Sequence, residues 1–381
     1  MRGVSTLAVL AGTGTCFLSI GMLVPVLPLY LAGELDQGLG MVGLTAAMPS
    51  VTGILARPLA GRMVDRHGPR MATMAGVGLI AITAVALLGA GSLTLVLLCR
   101  TVTGIGDALV YVGLAAASVP ADGTGTPAKI TWFSLAVYGG LLLGAPFGLT
   151  VLTWWGFPAV WLIAALIAII AAIIAIALPR GTPLSDVDKP PLVHPAGLVP
   201  GFAYGASVWG YTAFTTFIPL YVAELGRSNA QAEYLVYGAV LVGVRLLGHR
   251  LIGWLRPHQA AVIALLCTAA GLAVLVLWPR SPGLACGTAL LAAGQALALP
   301  AFLAAAIDAV PAGHRVSVLA TVTGFFDIGF LTAALALGVI SQLFGLRSSF
   351  VLAAAMAAAA LLLLVPWRRP SHRRPSIPAS H

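Results

Sequence analysis

The chain has 381 residues, 60% hydrophobic and only 8% charged, with a formal net charge of +9 and a mean hydropathy of +1.01. Soluble globular chains carry roughly 25% charged residues, so these proportions exclude a water-exposed surface and leave no room for a soluble catalytic domain. At roughly 30 residues per membrane helix and loop, the length corresponds to about twelve crossings, and the positive charge is read as membrane topology rather than nucleic-acid binding.

The first apolar stretch, Leu7–Leu31, is too long for the core of a cleaved signal peptide and is expected to stay as the first crossing. Met41–Gly61, Met71–Ala90, Leu93–Val119, Ile130–Trp154 and Phe157–Leu178 complete a first set. Pro179–Ala196 follows, with five prolines and charges at Arg180, Asp186, Asp188 and Lys189, and reads as a linker. The second set is Gly197–Ala223, Tyr234–Trp254, Ala260–Trp278, Leu284–Val310, Val316–Gly345 and Phe350–Trp367. Only helices or closed barrels satisfy their backbone inside a bilayer, and apolarity without a period of two excludes a barrel. The expected fold is an all-α membrane protein of twelve transmembrane helices in two six-helix bundles. These are residues 1–178 and 199–368, joined by a cytoplasmic linker at 179–198 and followed by a basic tail at 369–381.

Arg2, the loops that begin at Arg62, Lys129, Arg180, Arg250 and Arg315, and the tail hold fourteen of the twenty Lys and Arg residues on one side. The opposite loops hold only Arg227, Arg280 and Arg347. Positively charged loops stay in the cytoplasm, so both termini are expected there. Cys16, Cys99, Cys267 and Cys286 lie in apolar runs without metal-like or disulfide-like spacing, and read as small buried hydrophobes. No metal constellation is visible. His249 and His314 read as surface residues near helix ends, and His372 and His381 belong to the tail.

The two sets repeat each other. Pro28-Leu29-Tyr30 closes the first crossing and Pro219-Leu220-Tyr221 the seventh, 191 positions later. Leu114-Ala115-Ala116-Ala117 returns as Leu303-Ala304-Ala305-Ala306, and Gly139 and Gly144 match Gly324 and Gly329. An ordered set of matches in the same relative places indicates duplication. Parallel six-helix halves are a transporter architecture, with a substrate site between them at mid-depth.

Gly61-Arg62-Met63-Val64-Asp65-Arg66-His67-Gly68-Pro69-Arg70 stands between crossings two and three. It resembles the signature loop of the major facilitator superfamily in spacing and position, and the twelve-crossing likeness covers nearly the whole chain. The resemblance implies that Gly61, Asp65, Arg66, Gly68 and Arg70 form a conformational switch. Asp65 would latch onto the positive end of the eleventh crossing. In the second half Gly248-His249-Arg250-Leu251-Ile252-Gly253 has no acid in the equivalent place, so the latch is expected on one side only. Arg100, followed by Gly104 and Gly106, resembles the family's second motif, whose arginine is associated with proton coupling. Gly139 to Gly148 looks like the antiporter motif of efflux members, with Ala145 inserted before Pro146, and is closer to bacterial sugar-efflux-like permeases. Gly140, Gly144, Pro146 and Gly148 are equally accounted for by close helix packing and a proline kink.

Ionisable groups inside a bilayer are costly and usually line a pathway. Arg100 and Asp107 are seven residues apart, so they face the same way about 10 Å apart along the axis; Tyr111 lies one turn further. They serve either as a pathway or as a mutually neutralising pair. Asp327 is either a proton carrier or permanently paired with Arg57 or Arg245, two arginines expected to snorkel toward the cytoplasmic ends. Tyr111, Gln295, Trp209 and Tyr211 are further cavity candidates, with Tyr30 and Tyr204 ranked lower as interface anchors. The expected protein is a monomeric, multi-pass carrier of a bacterial cytoplasmic membrane. It would export a small organic molecule (a drug, sugar or secondary metabolite) against protons, without a cofactor other than the proton gradient. Proton-symport uptake is the alternative within the class; a transport-inactive sensor or a membrane-embedded enzyme is the alternative outside it.

Overall fold

The computed structural model describes residues 2–118, 126–178, 194–252, 256–307, 310 and 315–364. The helices are α1 (Arg2–Gly33), α2 (Leu39–Ala86), α3 (Leu93–Ser118), α4 (Thr126–Ala175), α5 (Leu198–Thr212), α6 (Ile218–Glu224), α7 (Gln231–Ile252), α8 (Pro257–Leu277), α9 (Ser281–Ile307), α10 (Arg315–Phe344) and α11 (Leu346–Leu364). No strand occurs among the described residues.

Two of these helices are too long for one crossing. The 48 residues of α2 would extend about 72 Å as an unbroken helix, more than twice the hydrocarbon thickness. The chain reverses inside it at Gly68 (φ 81°, ψ 163°), a conformation open essentially only to glycine. Pro69 then begins the next helix, where its missing N–H costs nothing. The 50-residue α4 is broken in the same way at Gly156 (φ 75°, ψ −178°), with Pro158 just beyond. Exposed Trp154 and Trp155 flank that turn, as aromatic residues do at a membrane interface. In the opposite sense, α5, a single π turn at Ala213–Phe217 and α6 run on as one crossing. The result is twelve crossings, two each from α2 and α4. The even number brings both chain ends to one side, here the near side.

Apolar side chains gain nothing by leaving lipid for another helix, so crossings associate through close backbone approach. Gly140, Gly144 and Gly148, four residues apart and hence on one stripe, lie directly against the backbone of Gly14, Leu18, Gly21 and Met22 in α1. A Cβ at any of the three would meet that backbone. The second half repeats the device with Gly329 of α10 against Gly205 of α5. The repeated tyrosines behave alike too. Tyr30 donates a hydrogen bond to the Ala90 carbonyl at 2.8 Å, and Tyr221 donates to the Leu275 carbonyl at 3.2 Å. Each ties the far end of its bundle's first crossing to the end of the third.

The buried core is distributed unevenly. On the far side one continuous cluster takes in both bundles, joining Met22, Val26 and Leu31 to Phe214, Phe217 and Tyr221. On the near side there are two separate clusters. Val9, Cys16, Val110 and Phe133 belong to the first six crossings, and Tyr204, Ala261, Phe302 and Val318 to the last six. Among the described residues the buried apolar core is therefore continuous across the seam on the far side and divided in two on the near side.

Candidate transport site at the seam

Ties between the bundles run from the far end to mid-depth. At the far end the Gly40 amide donates to Gln342 Oε1 at 3.3 Å, and Gln231 Nε2 donates to Thr150 Oγ1 at 2.8 Å. Deeper, Arg57 Nη1 is hydrogen-bonded and ion-paired to Asp327 Oδ2. Arg57 lies eleven residues before the Gly68 hinge and Asp327 twelve beyond the start of α10, roughly 16–18 Å along each axis from the near end. Both are at mid-membrane. The snorkelling expected of Arg57 does not occur, because a carboxylate across the seam offers a partner where the end of the helix offers only water.

Arg245 lies close to the equivalent place in the other bundle, three residues before Gly248 where Arg57 lies four before Gly61, and it too reaches across the seam. Its partner is aromatic: the guanidinium lies 3.9 Å from the centre of the Tyr138 ring. Arg245 Nε is buried without a hydrogen-bond partner. A cation withdrawn from water without a hydrogen-bonded counter-charge is costly, and a ring face offsets about 0.5–2 kcal/mol of that.

Tyr138, Tyr204, Tyr211, Tyr237, Arg245 and Gln295 line one cavity between the bundles. Gln295 Nε2 is fixed by the Ser207 carbonyl at 2.9 Å and the Ser207 hydroxyl at 3.0 Å. The Tyr237 hydroxyl is buried and unpartnered, its ring stacked on Phe214 at 4.6 Å. Phe214 belongs to the π turn, a feature frequent at functional sites. The neighbouring Thr215 carbonyl accepts from the Tyr234 hydroxyl at 2.7 Å, so the irregular backbone is supported. Tyr204, ranked low as an interface anchor, is a lining residue with a relative exposure of 5%. Tyr138 and Tyr237 were not anticipated. Gln295 and Tyr211, expected from the sequence as cavity candidates, do line this cavity.

Arg100 and Asp107 form no ion pair among the described residues. Arg100 Nε donates to the Thr45 carbonyl at 3.4 Å, and Arg100 lines a second, more far-sided space with Leu27, Thr45, Thr216 and Phe330. Asp107 Oδ1 is buried without a partner. Tyr111, one turn on, is 42% exposed and packs its ring edge-to-face with Phe17 and Phe133. Trp209 is set apart from these groups and packs against the far-side core.

At the near end Asp65 is half-buried, Arg70 half-buried and Arg66 exposed. A Cβ on Gly61 would meet open space, whereas Gly68 is the hinge itself. Of the cysteines, Cys16 and Cys99 are buried, Cys267 is partly buried and Cys286 is exposed. The expectation of four buried thiols is corrected for Cys286, because a helix in lipid presents apolar side chains outward as readily as inward. No group able to hold a metal ion occurs among the described residues. The side chain of His249, His314, most of the linker and the whole basic tail lie outside the described residues.

The profile of the Major Facilitator Superfamily matches residues 9–284 and 258–381. An uncharacterised MFS-type transporter of Pseudomonas aeruginosa (strain LESB58) is 35% identical over 376 residues, covering 94% of this chain and 91% of its own. Another from Burkholderia pseudomallei (strain 1106a) is 32% identical over 372 residues, covering 93% and 90%. Among solved structures, the nucleoside transporter NupG aligns with a TM-score of 0.78 at 10% identity, over 96% of this chain and 99% of that one. A bacterial homolog of the human lysosomal transporter Spinster, inward-facing and occupied, aligns with a TM-score of 0.79 at 17% identity, over 95% and 96%. Twelve apolar crossings in two repeated bundles, a polar seam and these matches agree: the chain is a multi-pass membrane protein and belongs to the Major Facilitator Superfamily.

Proposed function

We propose that the protein is a proton-coupled exporter of a small organic molecule, working as a monomer by alternating access and needing no cofactor beyond the proton gradient. The cation-rich near side faces the cytoplasm of a bacterial cell, with both termini there. In that orientation a core continuous on the far side and divided on the near side corresponds to a carrier open inward. The observation that carries the reading is the Arg57–Asp327 ion pair, a titratable tie between crossings two and eleven. A proton on Asp327 removes the charge that holds Arg57 and loosens the seam. A ligand shifts a conformational equilibrium only by binding its states unequally, and a proton on this carboxylate does so. Asp107, with an unpartnered buried oxygen, is the second proton acceptor. The export direction is supported by the likeness of the fifth crossing to efflux members, and Asp65 with Arg66 and Arg70 governs closure on the near side. The lining of tyrosines, leucines, Arg245 and Gln295 suits a carrier that holds a solute without reacting with it.

In proteoliposomes, Asp327→Asn is expected to abolish the dependence of flux on an imposed pH gradient while leaving counterflow intact. Flux that still follows the pH gradient in this variant would remove Asp327 from the coupling mechanism.

A further inference from the structure

Five side chains that carry a charge at neutral pH lie deep in the crossings: Arg57, Arg100, Arg245, Asp107 and Asp327. Arg57 and Asp327 neutralise each other directly. Arg100 and Asp107 carry opposite charges seven residues apart on one helix. Arg245 is left over: its Nε has no hydrogen-bond partner, no carboxylate pairs with it among the described residues, and its guanidinium lies over the Tyr138 ring. One uncompensated positive charge therefore stands at the wall of the cavity between the bundles.

The chemistry around it is as one-sided as the charge. Guanidinium is a donor without acceptor capacity. The Tyr237 hydroxyl, also buried and unpartnered, lines the same cavity. Tyr138, Tyr204 and Tyr211 make no hydrogen bond through their hydroxyls among the described residues, and they surround the space with ring surface. Gln295 Nε2 is already committed to Ser207. A half-buried cation with an unpaired Nε and an unpaired hydroxyl, inside a wall of tyrosine rings and leucines, ask for an acceptor-rich, negatively charged head on an apolar or planar body.

We infer that the transported molecule is a small organic anion, whose carboxylate, sulfonate or phosphate head is held by Arg245 and the Tyr237 hydroxyl while its body lies against Tyr138, Tyr204 and Tyr211. The inference rests on the carrier reading for the word transported, but the anion site stands on the cavity alone. It gives the unpaired Arg245 the counter-charge that the chain withholds, and the empty carrier keeps that cation available. Outward movement of such an anion also runs with an inside-negative membrane potential.

The test uses the purified full-length protein and five single-ring probes: benzoate, benzenesulfonate and phenyl phosphate as anions, benzamide as the neutral and benzamidine as the cation. Binding is followed by the shift in thermal unfolding seen in tryptophan fluorescence. At least one anion is expected to stabilise the protein while benzamide and benzamidine do not. Which anion binds best separates the three head groups. Arg245→Gln should weaken the effective anion about 10- to 100-fold, as loss of charge-assisted hydrogen bonds does. Tyr237→Phe keeps the ring and should weaken it about fivefold, which keeps the test decisive should Arg245→Gln misfold. A response to benzamide or benzamidine equal to that of the anions, no response to any anion, or unchanged anion affinity in Tyr237→Phe would overturn the assignment. Counterflow with the same probes separates the two readings. Anion binding without flux leaves the site standing and removes the carrier, whereas flux of a neutral solute indifferent to Arg245→Gln keeps the carrier and removes the anion.

Discussion

Arg57 and Asp327 show how a residue's surroundings decide what its charge does. The carboxylate is 13% exposed and the arginine side chain 40%, so the pair lies between a surface bridge, worth about 0–1 kcal/mol, and a buried one, where losing a partner costs about 3–5 kcal/mol. Arg57→Gln should therefore destabilise the protein by roughly 1–3 kcal/mol, because Asp327 is left charged and alone. Combining it with Asp327→Asn should recover part of that loss. Thermal unfolding of the two single variants and the double variant measures the coupling, and strictly additive losses would show that the two side chains do not interact. The presence of both residues was plain in the sequence, and pairing was one of two open possibilities. What settles it is the approach of α2 and α10, 270 positions apart, which no local pattern encodes.

Among the elements, the signature loop separates two glycines that look alike in sequence. Gly68 is held at φ 81° and ψ 163°, so Gly68→Ala should cost about 1–3 kcal/mol through backbone strain and lower the unfolding temperature. Gly61 sits in ordinary helix with open space beside it. Gly61→Val should thus leave stability within about 0.5 kcal/mol, as surface changes do, yet slow flux if the near ends of crossings two and eleven must close against each other. A Gly61→Val protein with normal flux would count against closure there. The crossings themselves were legible from apolarity, including the short turn now located at Gly156. The π turn was not, since its residues Ala213–Phe217 differ in no local way from ordinary helix and are stabilised by contacts with α7.

For the whole molecule, the uneven core makes a mechanical prediction. The far side is joined by packing and by the Gln231–Thr150 hydrogen bond, so it must part for the carrier to open outward. Thr150→Cys with Gln231→Cys, in a background where exposed Cys286 is replaced, should be bridged by a short bifunctional thiol reagent. The bridged protein is expected to lose flux in vesicles and regain it when a cleavable bridge is reduced. Full flux in the bridged form would mean that the far side need not separate there.

By itself the sequence determined the lipid-facing class, the number of crossings, the duplication and the ionisable groups committed to the interior. These follow from composition, from apolar run length against bilayer thickness, and from matches in register, all of which are properties of short stretches. Only the tertiary structure decided which crossings meet, that Arg57 answers Asp327 while Arg245 meets a ring, that Asp107 stands without Arg100 as a direct partner, and that the seam is shut at one end. Those outcomes depend on backbone approach between helices far apart in the chain. In lipid, small residues permit that approach without naming the partner.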